Sequence, residues 1–329
     1  MKNFCTLFDS YYFMKGLSLY YSLERVCKNF HLYIFAFDDL AYETLVSLDL
    51  KYATIISLKE FETEELLEIK KNRNTAEYCW TCKGPTLKYC FDNYNIESCT
   101  YLDSDLYFFD DPEILFEEVL GYDVMLTEHH YTSEYDLSKT NGKYCAHFMY
   151  FRNSENGLKV LSWWTNLCLE WCFSYHEVGR FGDQKYLEEF SNTFTGVCIL
   201  KHLGGGVAPW NIQQYTLLNR NSKPIGINKS DKSQFNIIFY HFHFLKIQRI
   251  KFIEEYYLGP YLYTNKDKRI IYRHYIKQLR GLIDILKAKG VNVNVFQSTR
   301  IEMSFLKFIL HVMKNWFHFN KIFYFNLSK

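Results

Sequence analysis

The chain has 329 residues, of which 48% are apolar, a composition that excludes disordered and fibrous proteins. Tyr (28), Phe (29) and Trp (6) are abundant, whereas Gly (15) and Pro (5) are scarce, so collagen-like repeats and low-complexity linkers are excluded as well. The sequence shows neither an apolar run of about 18 residues nor a secretory signal peptide, and we therefore expect a cytoplasmic protein.

Charge is divided unevenly along the chain, although the formal net charge is only +1. Residues 1–245 contain 22 Lys and Arg against 32 Asp and Glu, whereas residues 246–329 contain 16 against 5. A basic C-terminal region of this kind indicates a polyanionic partner, either nucleic acid or anionic lipid. Because no nucleic-acid-binding motif accompanies the charge, we expect no nucleic acid and favour lipid.

Short apolar runs alternate with helical patterns through most of the chain, as in proteins built from βαβ units. Strands are predicted at 4–8, 31–37, 53–58, 98–109, 123–127, 147–152 and 235–242. Helices are predicted at 16–23, 40–48, 60–72, 86–93, 158–175 and 183–190. The sequence therefore predicts an α/β fold with a mostly parallel sheet flanked by helices, whose ligands bind at the carboxyl ends of the strands.

From residue 251 onward the pattern is mainly helical, which predicts a domain of residues 1–250 and a helical, basic, aromatic-rich region of residues 251–329. Basic side chains in this region recur at helical spacing: Arg300, Lys307, His311, Lys314, His318 and Lys321. Two interpretations of this segment remain open. It is either a helix that lies on an anionic membrane surface, or a helix that packs on the body and leaves its lysines in solvent.

The ten cysteines are scattered, and we expect them to be reduced thiols that fill gaps in the core. The one short pair that resembles a metal or redox motif is Cys79-x-x-Cys82. A zinc ribbon would need a second such pair, so this spacing alone does not predict a metal site.

Two carboxylates, Asp103 and Asp105, end an otherwise apolar strand. Burying two like charges there requires a counter-ion, and hard carboxylate oxygens suit Mg²⁺ or Mn²⁺. The alternative is that one or both carboxylates cap the following turn. A lone Asp-x-Asp is a weak pattern, so its surroundings must decide between the two.

Those surroundings resemble glycosyltransferases of the GT-A fold. The stretch Tyr101–Phe109, followed by Asp111-Pro112, looks like the strand-end Asp-x-Asp segment of their retaining members, including the glycogenin-like and lipooligosaccharide galactosyltransferase-like enzymes. The resemblance implies that Asp103, Ser104 and Asp105 hold a divalent metal and a nucleotide sugar. Phosphatases of the haloacid dehalogenase type also use Asp-x-Asp, but they have Thr or Val where Tyr107 stands.

A second similar segment, residues 180–187, contains Asp183 and Gln184 at the predicted start of a helix. The resemblance implies that Asp183 binds hydroxyls of the donor sugar and that Gln184 lies near the anomeric carbon, where its carbonyl dipole stabilises developing positive charge. The structural alternative is that Asp183 merely caps the helix.

A third similar segment, residues 240–246, resembles the His-Phe-x-Gly-x-x-Lys stretch that ends the related catalytic domains. It implies that His241 is the third metal ligand and that Lys246 reaches the diphosphate. This chain departs from the pattern, because Phe244 replaces the glycine and Lys246 comes one residue early. His243 is the alternative ligand, since residues 241 and 243 of a strand face the same way.

Further donor or acceptor contacts are expected at two places. The glycine-rich loop at 202–211 resembles a substrate-lining loop, in which Gly205 permits close approach and Trp210 and Asn211 contact a sugar; a tight turn is the alternative. At the end of the first strand, Thr6, Phe8 and Asp9 are expected to lie against the nucleotide.

The resemblance spans about residues 3–250 and implies a retaining, metal-dependent transferase. Its donor would be a nucleoside-diphosphate sugar, UDP-sugar in the first instance, and its acceptor a glycan or a lipid-linked glycan of a bacterial surface polysaccharide. The basic tail would hold it at the inner face of the cytoplasmic membrane. Two rivals remain: a non-catalytic nucleotide-sugar-binding scaffold, and a phosphohydrolase that uses Asp103.

Overall fold

The computed structural model describes residues 1–221, 223–250, 253–293, 299–302, 304–315 and 321–325. Its strands are β1 (Lys2–Phe8), β2 (Phe30–Ala36), β3 (Ala53–Ser57), β4 (Ser98–Leu102), β5 (Leu106–Phe108), β6 (Val124–Glu128), β7 (Tyr144–Arg152), β8 (Val197–Ile199), β9 (Tyr215–Arg220), β10 (Lys223–Asn228), β11 (Gln234–Asn236), β12 (Phe239–His241), β13 (Lys246–Ile250), β14 (Ile253–Tyr257), β15 (Thr299–Ile301) and β16 (Lys321–Phe325).

The α-helices are α1 (Phe13–Val26), α2 (Asp39–Leu48), α3 (Leu58–Phe61), α4 (Glu64–Lys70), α5 (Thr75–Thr81), α6 (Lys83–Asn93), α7 (Glu113–Glu117), α8 (Ser138–Asn141), α9 (Glu155–Glu170), α10 (Phe190–Thr193), α11 (Asn265–Asp267), α12 (Arg273–Ala288) and α13 (Phe305–Asn315). Short 3₁₀ turns cover Ser133–Tyr135, Lys185–Glu189, Leu203–Gly205 and Ile212–Gln214. A π-helical turn, Lys268–Tyr272, joins α11 to α12.

The main sheet has seven strands in the order β3-β2-β1-β4-β7-β6-β8. β1 pairs in parallel with β2 and β4, β2 with β3, and β6 with β8, whereas β7 runs antiparallel to its neighbours β4 and β6. This mostly parallel sheet confirms the predicted α/β class. It also brings the carboxyl ends of β1 and β4 side by side at one edge.

Helices cover both faces of the sheet, which explains why its strands are continuous apolar runs. Successive residues of β1 enter different cores: Phe4 packs in the cluster that includes Leu17 of α1, and Cys5 in the cluster that includes Leu87 of α6 and Trp164 of α9. Every cysteine is a free thiol, as expected.

A two-stranded pairing outside the main sheet positions the chain that follows the Asp-x-Asp. β5 runs antiparallel to β12, with Leu106 opposite His241 and Phe108 opposite Phe239. The backbone N–H of Phe242 also donates to the carbonyl of Asp105 at 2.9 Å. Residues 105 and 241, which are far apart in sequence, are therefore held as neighbours.

The C-terminal region contains helices, as predicted, and also a small sheet that the sequence pattern did not predict. This sheet has the order β15-β13-β14-β16, and the boundary predicted after residue 250 falls between its paired strands β13 and β14. Its strands are only three to five residues long, and a pattern of so few residues does not distinguish a strand from a helix by periodicity, which accounts for the difference.

The predicted basic stripe is divided by this arrangement. Arg300 lies in β15, Lys307, His311 and Lys314 lie in α13, and Lys321 begins β16, whereas His318 lies outside the described residues. Within the described parts of the chain, no helix has the length and apolar character that crossing a bilayer requires.

Two predicted helices differ in detail from the structure. The segment 60–72 forms two helices, because Thr63 caps a new one: its hydroxyl accepts from the N–H of Leu66 at 3.3 Å. The segment 183–190 begins with a 3₁₀ turn rather than an α-helix.

Candidate active site

Asp103 and Asp105 lie directly after β4 in the wall of a cavity of about 550 Å³. The turn that carries them is fixed by its backbone, since the N–H of Asp103 donates to His147 O at 2.9 Å and that of Leu106 donates to Asp103 O at 3.1 Å. Ser104 lines the same cavity. The predicted acidic pair is therefore in place at the carboxyl edge of the sheet.

His241 faces both carboxylates. Its Nε2 lies 3.0 Å from Asp105 Oδ1 and 3.9 Å from Asp103 Oδ2. Burial opposes ionisation of Asp105, but its interaction with His241, together with the Lys15 ammonium, outweighs burial and holds the pKa of Asp105 below its ordinary value. Asp105 is therefore a carboxylate at neutral pH.

His243 is the fourth member of this group. Single ligand atoms of Asp105, His241 and His243 all lie within 4.8 Å of one another. Burial lowers the pKa of His243 to about 3, so its imidazole is neutral and has a lone pair available. Carboxylate oxygens with imidazole nitrogens form a donor set that fits Mn²⁺ or Mg²⁺, and the residues that would hold the ion are Asp103, Asp105 and His241, with His243 as the alternative.

Lys83 is a site residue that sequence reasoning missed. Its buried Nζ lies 2.9 Å from Asp103 Oδ1, 3.0 Å from Asp183 Oδ2 and 3.1 Å from Ala146 O. Burial lowers the pKa of Lys83, but the two carboxylates outweigh burial and raise it above the ordinary value. Lys83 is thus a permanent cation that joins Asp183 to the Asp-x-Asp.

A signal for Lys83 was present in the sequence. Lys83, Leu87 and Cys90 share the buried face of α6 at helical spacing, so the lysine occupies the first position of an apolar stripe. A buried lysine needs a carboxylate partner. The spacing alone could not say which carboxylates these were, because Asp103 and Asp183 come from distant parts of the chain.

Another part of the cavity wall comes from the end of β1 and the segment that follows it. Phe8 and Asp9 line the cavity as predicted, whereas Thr6 is fully buried inside β1 and does not. Lys15 of α1 lies with its Nζ 3.9 Å from Asp105 Oδ2 and 4.1 Å from the ring centre of Tyr12. Lys246, at the start of β13, lines the cavity too, so two lysines flank the acidic group.

Five other predicted residues are not among those that line the cavity: Asp183, which is buried behind Lys83, and Gln184, Gly205, Trp210 and Asn211. Gln184 Nε2 donates to Asn141 O at 2.9 Å. Asn211 is fully buried, and its amide donates to Gly206 O of its own loop at 2.7 Å and to His129 O of the segment after β6 at 2.8 Å. These contacts hold the glycine-rich loop together, but none of its three glycines has the positive φ that a tight turn was expected to need.

The ring of Trp210 packs against the rings of His241 and His243. Its ring centre lies 5.3 Å from that of His241 and 5.5 Å from that of His243, in edge-on geometry. The indole N–H donates to His129 O at 2.8 Å and so fixes the ring. Gly205 is buried against Leu200 and Leu115, where a Cβ would lie 2.5 Å from a Leu200 methyl carbon.

The structure combines an α/β sheet that has one antiparallel strand with an acidic pair directly after β4 in the wall of a cavity, in agreement with the α/β class predicted from the sequence.

The chain belongs to the same family as the uncharacterized protein YfnD of Bacillus subtilis (strain 168), to which it is 30% identical over 296 residues, covering 87% of this chain and 91% of that protein. It is 29% identical over 306 residues to the uncharacterized protein YfnF of the same organism, covering 90% and 97%. No protein-family model matches the chain.

Solved structures with a similar arrangement include the galactosyltransferase LgtC in complex with donor and acceptor sugar analogues, with a TM-score of 0.49 and 10% identity over 87% of this chain and 99% of that one. The glycosyltransferase GlyE of Streptococcus pneumoniae TIGR4 gives a TM-score of 0.41 and 17% identity. That match covers 61% of this chain and 45% of GlyE. Likeness at this level does not assign an activity to this chain.

Proposed function

We propose that this protein is a metal-dependent glycosyltransferase that moves a sugar from a nucleoside-diphosphate sugar to a glycan or lipid-linked acceptor. The observation that carries the proposal is the convergence of Asp103, Asp105 and His241 on one cavity, with Asp183 joined to Asp103 through Lys83. Oxygen and imidazole donors beside two lysines suit a diphosphate bound with a divalent ion.

The phosphate end of the donor would bind at the metal group. A divalent cation held by Asp103, Asp105 and His241, or with His243 in place of His241, would neutralise charge on the diphosphate leaving group. Lys15 and Lys246 flank the same part of the cavity and supply two further positive charges to the phosphates.

The nucleoside end would lie against the segment after β1. Tyr11 lines the cavity and is 70% exposed, so its ring is free to stack on a base. Phe8 and Asp9 line the same wall, which supports their assignment to the nucleotide. UDP is the nucleotide that the sequence resemblance favours.

The sugar end would lie toward Asp183. Asp183 is buried behind Lys83, which lines the cavity and fixes this carboxylate, and we propose that Asp183 binds sugar hydroxyls from this position. Retention is proposed to proceed by attack on the same face of the sugar, with the acceptor hydroxyl passing its proton to the departing phosphate oxygen. Such a reaction requires no side-chain base.

The membrane association predicted for the tail gains support from α13. Phe308 is buried in a small core with Ile250 and Ile253, so one side of this helix packs on the protein. Other apolar side chains of α13 are exposed: Phe305, Leu306, Ile309, Leu310 and Met313. An exposed apolar face with Lys307 and Lys314 on the same helix suits the surface of an anionic membrane, and we propose peripheral binding at the inner face of the cytoplasmic membrane.

The test is a thermal-shift screen of nucleoside diphosphates and their sugars, with and without Mn²⁺. A ligand that binds only the folded state adds about 3 kcal/mol of stability at a hundredfold excess over its Kd. We expect one nucleotide to stabilise the wild type in the presence of metal and not to stabilise Asp103→Asn/Asp105→Asn. The matched control is Glu43→Gln/Asp284→Asn, which removes two exposed carboxylates elsewhere.

Turnover is measured as release of nucleoside diphosphate from the stabilising nucleotide sugar. Release that depends on Asp183 and on metal supports the transferase. Binding without release supports a scaffold, and phosphate release from a generic ester that persists in Asp183→Ala supports a phosphohydrolase. Equal stabilisation of the wild type and the Asp103→Asn/Asp105→Asn variant would contradict the proposed donor site.

A further inference from the structure

A second cavity, of about 440 Å³, lies in the C-terminal region and shares no residue with the cavity beside Asp103 and Asp105, which we call the donor cavity after its proposed ligand. We call it the cationic cleft. One wall is the start of the long helix formed by α11, the π-helical turn and α12, and the other is β16. The residues that line it are Asn265, Lys268, Arg269, Arg273, Lys321, Ile322 and Phe323.

The two walls are held in place by ordinary secondary-structure contacts. Thr264 and Asp267 form a capping box at the start of the helix, in which the Thr264 hydroxyl accepts from the N–H of Asp267 at 3.1 Å and Asp267 Oδ2 accepts from the N–H of Thr264 at 2.8 Å. Opposite, β16 pairs with β14, with Lys321 across from Tyr257. The cleft is therefore defined by backbone structure on both sides.

Positive charge in the cleft exceeds what the protein neutralises. Lys321 is paired with the buried carboxylate of Glu255 at 2.8 Å. Within the part of the chain that the structure describes, Lys268, Arg269 and Arg273 form no ion pair with a carboxylate. Burial lowers the pKa of Lys268, and the like charge of the nearby Arg273 guanidinium lowers it further.

We propose that the cationic cleft binds a phosphate or diphosphate group. Four cationic side chains converge on the cleft and none of its lining residues is acidic, so a multiply charged anion is favoured over a single carboxylate. Arg269 and Arg273 are four residues apart, and their planar guanidinium groups suit bidentate contacts with phosphate oxygens. The cleft volume admits a group larger than one phosphate.

The anion can come from a phospholipid headgroup or from a soluble phosphate compound. Both present the same oxygens to the cleft, so the proposal concerns the shared chemistry and the experiment separates the sources. Binding here does not require the chemistry proposed at Asp103 and Asp105, and it stands or falls separately from sugar transfer.

The first experiment is calorimetric titration of the full chain with inorganic pyrophosphate in buffer that contains EDTA. We compare the wild type with Arg269→Gln/Arg273→Gln, whose two side chains are exposed and whose replacement leaves the core intact. The matched control is Lys277→Gln/Lys287→Gln, which removes two exposed cations from the same helix. Circular dichroism verifies that each variant is folded.

We expect the affinity of the cleft variant for pyrophosphate to fall about tenfold or more, because charge-assisted hydrogen bonds are lost. The control variant and Asp103→Asn/Asp105→Asn should bind as the wild type does, and binding should weaken as salt rises. Equal affinity of the cleft and control variants, binding that is lost in Asp103→Asn/Asp105→Asn instead, or no binding to the wild type would each overturn the proposal.

The second experiment identifies the source of the phosphate. Sedimentation with phosphatidylglycerol vesicles is compared with sedimentation with phosphatidylcholine vesicles for the same variants. Sedimentation that Arg269→Gln/Arg273→Gln loses and the control retains supports the cleft as a headgroup site. If pyrophosphate affinity falls in the cleft variant while its sedimentation is unchanged, the result supports a soluble phosphate compound as the ligand.

Discussion

Charge is organised in opposite ways in the two cavities. At the donor cavity the two carboxylates of the Asp-x-Asp have protein partners, since Lys83 joins Asp103 to the buried Asp183 and His241 contacts Asp105. In the cationic cleft, Arg269 and Arg273 are exposed and lie on a helix surface.

The two arrangements of charge suit different tasks. Buried, paired groups have fixed positions and fixed protonation states, which suits the orientation of a reacting molecule. Exposed cations of one sign attract an anion over a longer range, and salt weakens that attraction. The formal net charge of the whole chain, +1, indicates neither the paired charges of the donor cavity nor the exposed cations of the cleft.

The largest effect is expected from Lys83→Met, which breaks the buried arrangement. Removing the cation leaves Asp103 and Asp183 without their shared partner, and loss of one member of a buried ion pair destabilises a protein by about 3–5 kcal/mol. Urea denaturation measures this change. The triple variant Lys83→Met/Asp103→Asn/Asp183→Asn removes the stranded charges and should recover part of the loss; no recovery would show that Lys83 acts through packing instead.

A smaller effect distinguishes the two candidate histidine ligands. His241→Ala should weaken Mn²⁺ binding by at least about tenfold, because a ligand in contact with Asp105 is removed. His243→Ala should weaken it less, since His241 faces both carboxylates and His243 is the alternative. Isothermal titration calorimetry with Mn²⁺ measures the affinity of each variant. A larger loss in His243→Ala would exchange the two assignments.

The pH dependence of stability offers a third test of the buried groups. Burial lowers the pKa of His129 to about 3, below its ordinary value of about 6.5. The unfolded chain therefore takes up a proton that the folded chain excludes, and stability falls as pH drops from about 6.5 toward 3.

His129→Phe should make this decline shallower by about 1 kcal/mol per pH unit, because one titrating group is removed. The ring stack on Tyr131, with centres 4.5 Å apart, can be kept by phenylalanine. His176→Phe removes an exposed histidine that also stacks on an aromatic ring, Phe181, and is the matched control. Denaturant unfolding across this pH range measures the slopes, and equal slopes for the two variants would contradict the assignment.

The sequence predicted the parts of the molecule that depend on local pattern. The alternation of strands and helices, and the place of Asp103 and Asp105 at a strand end, follow from periodicity and from the apolar run before them. The position of His241 could not be predicted from local pattern alone. Its place beside Asp105 depends on the pairing of β5 with β12, which joins segments more than a hundred residues apart.

What the sequence could not provide were the partners of buried polar groups. Asn211 is a residue type that commonly contacts sugars, yet its amide donates to two backbone carbonyls, that of Gly206 in its own loop and that of His129 after β6. Lysine is usually a surface residue, yet Lys83 is a buried cation that lies between the carboxylates of Asp103 and Asp183. Hydrogen-bonding capacity is a property of the residue, whereas its use is set by tertiary contacts.

The smallest effect on stability is expected on the exposed face of α13, where the comparison with the donor cavity is sharpest. Leu306→Ser/Leu310→Ser should change the free energy of unfolding by no more than about 0.5 kcal/mol per residue, since both side chains are exposed. Sedimentation with phosphatidylglycerol vesicles should nevertheless fall, because apolar contact with the membrane is lost.

Phe308→Ala is the contrasting variant: its side chain is buried against Ile250 and Ile253, and its loss should destabilise the protein by about 3 kcal/mol. If the double variant is as unstable as Phe308→Ala, α13 is a packed helix on both faces and its membrane role is contradicted.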